Sequence, residues 1–352
     1  MIEIIRNKEE WDALIDCFGE CDFYHTYDYH MISKSQDEMP VLVKYSEGDK
    51  LIALPLLLRK IHGTEYKDAT SVYGYPGPLT LNIHDDFDNT NFREEFQALL
   101  LQHNYVSIFS RLNPFISGQE IILKHMDETA ELGKVVYLDL TRDLDEQFQQ
   151  YHKRLRTYIN KCRRTYHVKK ALTRKEVEHF IGLYYENMHR VNAKEKYFFD
   201  QGYFFDLLHS TSFETDILLA TDNITNKVVA GAMFIKKNKI VQYHLSGVNA
   251  NYLDLNPVKL LLDEMRIKAT HEGYSYLNLG GGVGNKEDSL FQFKSGYSKE
   301  FKYFNVWRHV VNRKAYAHLV REKTNHKCTK FNGSCYDFFP CYRCELVTTI
   351  NR

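Results

Sequence analysis

Two strand–turn–strand segments with the same order of elements constrain the fold of this chain most. PVLVKYSEGDKLIALPLLLRK (40–60) has apolar runs on both sides of a Gly-Asp turn, and DILLATDNITNKVVAGAMFIKKNKIVQYHLSG (216–247) reads as three strands. The residues KLIA (50–53) can be overlaid on KVVA (227–230), and a strand and a polar turn precede both. Because the surrounding elements match as well, the pattern predicts a duplicated α/β module.

The length of the chain agrees with two such modules. At 352 residues it exceeds the size at which a single core usually splits. Predicted helices accompany each strand segment, at 8–19, 24–35 and 91–103 and then at 146–166, 174–190 and 200–209. We therefore predict two similar domains, residues 1–145 and 146–352, with no flexible linker between them.

Charge and hydropathy limit the classes of partner. The 46 basic and 46 acidic residues cancel, so a contact with nucleic acid requires a local basic patch. The start MIEIIRNKEEWDAL is charged where a signal peptide is apolar, and the most apolar run, LIALPLLL (51–58), is too short to cross a bilayer. We expect a cytoplasmic protein without integral membrane association and with reduced cysteines.

Four cysteines lie near the C-terminus, and a histidine precedes them. These residues are His326, Cys328, Cys335, Cys341 and Cys344. Only the last pair has the Cys-x-x-Cys spacing of a zinc knuckle. A structural zinc and unligated thiols both remain open, and the spacing favours the thiols. We therefore predict no metal and no cofactor.

The segment LNLGGGVGNKEDSLFQFKSGYS (277–298) has the strongest features of a site. The dinucleotide fingerprint fails because Asn285 stands where its third glycine is required, and the P-loop pattern fails because Glu287 follows the lysine. Glycines at the end of a buried strand let another group approach the main chain closely, and a tight strand-to-helix turn is the alternative. The residues after the glycines predict a short helix over 286–294 with Asp288 as its cap.

Two further segments have clear helical signals. NPVKLLLDEMRIKATHEGY (256–274) predicts an amphipathic helix with Asn256 as N-cap, Pro257 in the first turn and Gly273 at the end. YHKRLRTYINKCRRTYHVKK (151–170) carries eight basic residues and no acid, which predicts a basic helix. A contact with a polyanion and a solvated helix face both remain open for it.

The region from Arg154 to Tyr297 resembles the Fem family of peptidoglycan-bridge aminoacyltransferases and their GNAT-like relatives. The motifs that carry the resemblance are LRTYINKCRRTYHVKKA, NPVKLLLDEMRIKATHEGYSYLNLGGG, KEDSLFQFKSGYS and the tail FFPCYR, while the first half shares FYHTYDYHMISK and YGYPGPL. The resemblance implies two tandem GNAT-like domains, each an α/β unit with a mixed, mostly antiparallel sheet flanked by helices.

The resemblance also implies roles for individual residues. Phe293 and Lys294 match an aromatic–lysine pair that meets the terminal adenosine of the donor and the reacting carbonyl. The acceptor side comprises Lys34 and Arg190, which would hold a diphosphate, and Tyr243 and Tyr75. The donor side comprises Gly281, Gly282, Arg154, Arg156, Arg163 and Arg164.

Three functions are compatible with these features. The first is transfer of an aminoacyl group from aminoacyl-tRNA to an amine of a nucleotide-linked cell-wall or polysaccharide precursor, such as a nucleotide sugar or a UDP-linked muropeptide. The second is N-acylation of an amino sugar from acyl-CoA, but the turn NYLDLNPVK (251–259) lacks glycine, and Pro257 removes an amide donor that a pyrophosphate would need. The third is a binding protein without catalytic activity.

Overall fold

The computed structural model of the protein describes residues 1–324 and 338–344. Its strands are β1 (Ile2–Ile5), β2 (Glu38–Glu47), β3 (Lys50–Lys60), β4 (Lys67–Thr70), β5 (Leu79–Leu81), β6 (Tyr105–Arg111), β7 (Glu128–Asp139), β8 (Tyr166–Lys170), β9 (Glu214–Asp222), β10 (Val228–Lys237), β11 (Ile240–Val248), β12 (Tyr276–Gly280) and β13 (Phe301–Val310). Its α-helices are α1 (Lys8–Ile15), α2 (Tyr27–Ser33), α3 (Thr90–Gln102), α4 (Gln119–Leu123), α5 (Leu144–Gln149), α6 (Lys153–Thr165), α7 (Arg174–Arg190), α8 (Gln201–His209), α9 (Val258–His271), α10 (Ser289–Ser295) and α11 (Arg313–Thr324). These elements form two compact units, each with a mixed, mostly antiparallel sheet.

The first unit contains Met1–Gly19, Ser33–Leu132 and the described residues from Phe304 onward. Its strands follow the order β1-β2-β3-β4-β6-β13, and the predicted hairpin around the Gly-Asp turn is β2–β3. Aromatic side chains of α3 fill its core, where the rings of Phe92 and Phe96 stack at 5.5 Å and Phe96 lies 6.5 Å from Trp307. Burial of such large rings is the main stabilising contribution of this unit.

The described residues from Phe304 onward belong to the first unit, which differs from the predicted division at residue 145. In β13, the segment Val306–Val310 pairs antiparallel with Ser107–Arg111 of β6, and Trp307 is fully buried in the first core. The backbone groups of β13 need this partner, so residues from Phe304 onward pack with the first unit rather than with 146–303. Conversely, Glu20–Ile32 packs in the second unit.

The second unit contains Glu20–Ile32 and Gly133–Tyr303. Its strands follow the order β7-β12-β11-β10-β9-β8, in which β11 and β12 are parallel and the other neighbours are antiparallel. The three strands predicted over 216–247 are confirmed as β9, β10 and β11. The helix α7 lies close to β11, because a Cβ on Gly247 would overlap the backbone of Leu183.

The basic segment 151–170 contains a helix within the predicted helical region 146–166, and a strand follows that helix. The helix α6 ends at Thr165, and β8 then pairs antiparallel with β9. Tyr166 is buried, while the two lysines of β8 are paired with acids of other elements: Lys169 with Glu176 at 2.6 Å, and Lys170 with the buried Asp216. The strand forms because β9 supplies hydrogen-bond partners for its backbone. Pairing with a distant strand cannot be predicted from local helix propensity.

The ends of α9 agree in part with the sequence signals. Pro257, rather than Asn256, is the N-cap residue. Asn256 adopts a left-handed conformation (φ 45°), and its side-chain oxygen accepts a hydrogen bond from Val258 N at 3.3 Å. Gly273, with φ 79°, follows the C-cap as predicted.

In the part of the chain that the structure describes, no helix has both the length and the apolar character needed to cross a membrane.

Candidate active site

A wedge opens in the sheet of the second unit where β11 and β12 part. The two strands pair in parallel over Ile240–Gln242 and Tyr276–Asn278. Beyond Gln242, β11 continues along β10 to Val248, while β12 ends at Gly280. Residues 243–246 are consequently half-exposed in a strand whose beginning is buried. A gap between two parallel strands, beyond their paired ends, is a natural place for a ligand.

A β-bulge in β11 lies at the point where the wedge begins. Met233 of β10 faces Leu245 and the next residue, Phe234, faces Tyr243, so His244 is the additional residue of the bulge. The Tyr203 hydroxyl lies 2.7 Å from His244 Nε2. Burial lowers the pKa of His244 to about 4, so its imidazole is neutral at pH 7 in this hydrogen bond with Tyr203. Bulges commonly redirect side chains beside active sites.

The glycine segment forms the other side of the wedge and holds Lys294. Gly280 has φ 76°, which favours glycine, and a Cβ on Gly281 would lie 2.7 Å from Lys134 O, so β7 also requires a bare backbone there. The Gly281 carbonyl accepts a hydrogen bond from Lys294 Nζ at 2.7 Å. The glycines therefore allow the close approach that the sequence predicted, and the approaching group is a lysine.

Lys294 is a buried ammonium group with an altered acidity. It projects from the short helix α10, and its residue is only 8% exposed. Burial lowers the pKa of Lys294 to about 8, and the charge of Asp288 opposes this effect. At pH 7 the ammonium form predominates, but its pKa is close enough to neutrality for proton transfer. Such a group can donate hydrogen bonds to developing negative charge on a bound substrate.

Asp288 fixes the start of α10, as the sequence predicted. Its side chain accepts a hydrogen bond from Phe291 N at 3.0 Å and another from Val283 N at 3.2 Å. One carboxylate thus caps the helix and ties it to the glycine turn. The predicted capping role of Asp288 is confirmed.

Tyr243 and Phe293 lie beside this lysine. The Nζ atom of Lys294 is 6.0 Å from the centre of the Tyr243 ring. The Tyr243 hydroxyl hydrogen-bonds to Ser246, and burial raises the pKa of Tyr243 to about 12, which keeps the phenol protonated. Phe293 is half-buried and meets the Tyr297 ring edge-on at 5.8 Å. The structure therefore brings Lys294, Tyr243 and Gly281 together, and Phe293 precedes Lys294 in α10.

A buried polar network below the wedge was not anticipated from the sequence. Gln242 Nε2 donates to Asp22 Oδ2 at 2.7 Å, and Asn278 Nδ2 donates to Gln242 Oε1 at 2.8 Å. Asn278 Oδ1 then accepts from Gly280 N at 2.9 Å, which fixes the backbone just before the carbonyl that holds Lys294. The available signal was a polar residue inside each of two apolar strand patterns, IVQYHL and YLNLG.

The predicted basic donor residues have different surroundings. Arg163 pairs with the buried Asp263 and with Glu264, so it is part of the packing between α6 and α9. Arg154 and Arg164 are exposed, and Arg154 lies over the Tyr158 ring at 5.5 Å. Arg156 is half-buried and donates to Gln149 Oε1 at 2.5 Å. Acidic residues of α9 thus neutralise part of the positive charge of segment 151–170.

The remaining predicted acceptor residues lie away from the glycine turn along the chain, whereas the predicted donor residue Gly282 belongs to that turn. Lys34 is half-buried just after α2, and Arg190 is exposed at the end of α7, where it donates to Asn187 Oδ1. Gly282 packs against Lys286 and Asp288, where a Cβ would overlap both. Tyr75 belongs to the first unit, where its ring meets Phe304 at 4.9 Å. The predicted roles of these residues stay predictions.

The cysteine cluster is only partly described. Cys341 and Cys344 are buried and form no disulfide within the described part of the chain, whereas His326, Cys328 and Cys335 lie outside it. Among residues 1–324 and 338–344, no group of three or more His, Cys, Asp or Glu side chains has the arrangement of a metal site.

Comparisons with known proteins include a family model that matches the segment containing the wedge and solved structures that match most of the chain. Residues 212–304 match the sequence model of the FemAB family. The crystal structure of FemX is similar over 90% of this chain and 99% of that chain, with 11% identity and a TM-score of 0.69. The chain has a Fem-like fold.

Two further structures are similar to this Fem-like chain. The C-terminal DUF2156 domain of an Agrobacterium fabrum protein aligns over 93% of this chain and 100% of its own, with 14% identity and a TM-score of 0.56. A conserved Bacteroides thetaiotaomicron protein of unknown function aligns over 88% and 100%, with 14% identity and a TM-score of 0.55. No curated protein matches the sequence.

The resemblance to the Fem family inferred from the motifs is confirmed. The matched segment 212–304 contains the wedge, the glycine turn and α10. The match to the FemAB family supports an acyltransferase.

Proposed function

We propose that the protein transfers an aminoacyl group from aminoacyl-tRNA to an amine of a nucleotide-linked cell-wall or polysaccharide precursor. The observation that carries this proposal is the buried Lys294 ammonium beside the wedge, held at 2.7 Å by the Gly281 carbonyl within the segment that matches the FemAB family. An acyl ester reacting with an amine needs positioning and stabilisation of an oxyanion more than it needs a protein nucleophile.

The site can perform the transfer with this arrangement. The neutral amine of the acceptor attacks the ester carbonyl of the donor, a C–N bond forms, and the ester C–O bond breaks. The carbonyl oxygen becomes an oxyanion on the way, and Lys294 Nζ, with donors beyond the one used on Gly281, hydrogen-bonds to it. The proton lost by the amine ends on the ribose oxygen that leaves.

The buried network keeps the lysine in place before substrate binds. Asp22, Gln242 and Asn278 are each at most 3% exposed, and they connect through hydrogen bonds to Gly280 N. Movement of the Gly281 carbonyl would disrupt the neighbouring end of this chain of bonds. A donor group held this way loses little reorganisation energy when the oxyanion forms, which is the basis of electrostatic preorganisation.

Acceptor and donor would meet at the wedge from different sides. We propose that Tyr243 contacts the acceptor, that Tyr75 does so in the first unit, and that Lys34 and Arg190 bind its diphosphate as cations. On the donor side, Phe293 is half-buried and can stack on an adenine ring, and we propose that the backbone of Gly282 contacts the donor.

The tRNA backbone contact is proposed for the exposed arginines of α6. Arg154 and Arg164 are exposed, and Arg156 is half-buried with one side-chain bond, so each can reach a phosphate. Arg163 contributes less, because its guanidinium is already paired with Asp263 and Glu264.

The surroundings of the α9 N-terminus favour tRNA over acyl-CoA as the donor. A pyrophosphate at a helix N-terminus needs amides that point outward without partners. Here Val258 N bonds to Asn256 Oδ1 at 3.3 Å, Lys259 N to Asn256 O at 3.0 Å, and Leu260 N to Pro257 O at 2.9 Å. The first-turn amides are thus already used inside the protein.

A transfer assay tests the proposal. Purified protein is incubated with bulk tRNA charged with labelled amino acids and with a panel of UDP-linked amino sugars and muropeptides, and labelled acetyl-CoA serves as the parallel donor. We expect label from tRNA, but not from acetyl-CoA, in RNase-resistant product. Label from acetyl-CoA alone would make the protein an N-acetyltransferase, and binding of a nucleotide sugar without any transfer would make it a binding protein.

The same assay tests Lys294. Replacing Lys294 by alanine removes the oxyanion donor, so the transfer rate should fall by about 10²–10³. Lys286→Ala is the matched control, because Lys286 is an exposed lysine of the same segment, and its transfer rate should stay near that of the wild type. Equal rates for Lys294→Ala and the control would exclude Lys294 from the reaction.

A further inference from the structure

A second group of polar side chains lies in the first unit, where two parallel strands end. β4 and β6 run parallel, with Ala69 opposite Ile108 and Thr70 opposite Phe109. The loop that follows β4 and the residue Arg111, which ends β6, therefore lie at the same edge of the sheet. In open sheets with parallel strands, ligands bind beyond the carboxyl ends of those strands.

Arg111 has an unsatisfied guanidinium at this edge. The residue is half-buried, and its Nε is buried without a hydrogen-bond acceptor. The backbone N of Arg111 donates to Ser71 Oγ at 3.3 Å. The guanidinium carbon of Arg111 lies 5.8 Å from the centre of the Tyr73 ring. A half-buried arginine without a carboxylate partner is costly, and an anionic ligand would satisfy it.

The loop after β4 carries two tyrosines and is held firmly against β6. Ser71 N donates to Phe109 O at 2.8 Å, and Asn113 Nδ2 donates to Tyr75 O at 2.8 Å. The Tyr73 residue is 61% exposed, next to the Arg111 guanidinium. Two tyrosines on a preorganised loop thus lie beside the Arg111 guanidinium at the end of β6, which lowers the entropic cost of binding.

The charge of Arg111 also reaches the second tyrosine. Burial raises the pKa of Tyr75 to about 12, and the positive charge of Arg111 opposes that rise. The Tyr75 phenol therefore stays protonated and neutral beside the cation. A cation flanked by neutral hydroxyl donors is suited to an oxyanion with several acceptor atoms.

We propose that Arg111, flanked by Tyr73 and Tyr75, binds a carboxylate or phosphate group of the acceptor. The identification of this ligand as the acceptor rests on the proposed function, while the anion site itself rests on the geometry of the first unit. The planar guanidinium can bind either group through two parallel hydrogen bonds.

Calorimetric titration tests the anion site without any transfer reaction. The full-length wild type, Arg111→Gln and Arg111→Lys are titrated with UDP and inorganic pyrophosphate as phosphate probes, and with N-acetyl-glutamyl-glutamate as the carboxylate probe. We expect the wild type to bind one class of probe and Arg111→Gln to bind it about 10- to 100-fold more weakly. Arg111→Lys should fall between them, because lysine keeps the charge but not the bidentate geometry.

Matched controls keep the test independent of folding. Arg93→Gln removes a guanidinium from α3 of the same unit and should retain wild-type affinity. Circular dichroism and the melting temperature of each variant establish that it is folded. Wild-type affinity in a folded Arg111→Gln, or no binding of any probe to the wild type, would overturn the anion site.

Kinetics separate this inference from the proposed function. If both are right, Arg111→Gln raises the KM for the acceptor about 10- to 100-fold and leaves kcat nearly unchanged. Loss of anion binding in a protein without transfer activity would leave the anion site standing and reject the function. Transfer with an unchanged acceptor KM in Arg111→Gln would reject the assignment to the acceptor and leave the function standing.

Discussion

Replacing Lys294 with methionine should stabilise the protein at neutral pH while it removes transfer activity. Burial lowers the pKa of Lys294 from 10.5 to about 8, and each pKa unit corresponds to about 1.4 kcal/mol. The folded protein therefore carries a penalty of about 3 kcal/mol for keeping this ammonium ionised. Methionine retains the apolar stem without the charge, but it loses the bond to Gly281 O. We expect the free energy of unfolding to rise by about 1–3 kcal/mol.

The pH dependence of this gain follows from the sign of the shift. The pKa of Lys294 is lower in the folded than in the unfolded protein. Below about pH 8 both states bind the proton, so the penalty is fully present. Between about pH 8 and pH 10.5 the folded state has released it while the unfolded state still binds it, so the stability of the wild type rises with pH. The advantage of methionine should shrink over the same window.

Urea unfolding at pH 7 and near pH 10 measures both effects. Far-UV circular dichroism reports the whole chain, whereas tryptophan fluorescence reports the first unit, which contains both Trp11 and Trp307. Lys286→Met is the control for adding methionine at an exposed position of the same segment. Two results would refute the assigned burial of the ammonium. One is a Lys294→Met protein that is less stable than wild type at pH 7, and the other is an increase in stability of the same size at pH 7 and near pH 10.

Two other changes test how the site is supported. Gly247→Ala should destabilise the second unit by about 1–3 kcal/mol in thermal unfolding, because its Cβ would overlap the backbone of Leu183 in α7. Gly182→Ala is the control in α7, where open space surrounds the glycine, and it should stabilise the unit by about 0.5–1 kcal/mol. Equal effects of the two substitutions would contradict the packing of α7 on β11. Asp288→Ala removes the cap of α10 and the hydrogen bond from Val283 N, so the free energy of unfolding should fall by about 1 kcal/mol and the transfer rate should also fall. Asp288→Asn should keep most of the stability and most of the transfer rate.

Local signals in the sequence predicted the elements around the site well. Glycines after an apolar run, followed by an acid before an amphipathic stretch, predicted the strand, the turn and the cap of α10, and Asp288 does cap that helix. Hydrophobic alternation on both sides of polar turns predicted β2–β3 and the β9–β11 strands. Such features are recognisable because capping and turn formation involve residues only a few positions apart.

Features that depend on distant partners were not recognisable in the same way. The run 166–170 continues the basic character of the predicted helical region 146–166, but it pairs with β9 as a strand, and acids of other elements pair its lysines. The fate of Arg163, which is held by Asp263 one hundred positions further along, could not be inferred from the neighbouring residues. Pairing energy between separate segments decides these cases.

The amino-acid sequence by itself determined the two-unit α/β character, the Fem-like resemblance and the glycine segment beside which Lys294 lies. Only the tertiary structure decided that Asp22, Gln242 and Asn278 form one buried network and that β13 pairs with β6. It also decided that Arg111 faces Tyr73 and has no carboxylate partner among the described residues. The physical reason is the same in each case. Burial and hydrogen-bond satisfaction are properties of the whole packed unit, because a polar group finds its partner wherever the fold brings the chain together.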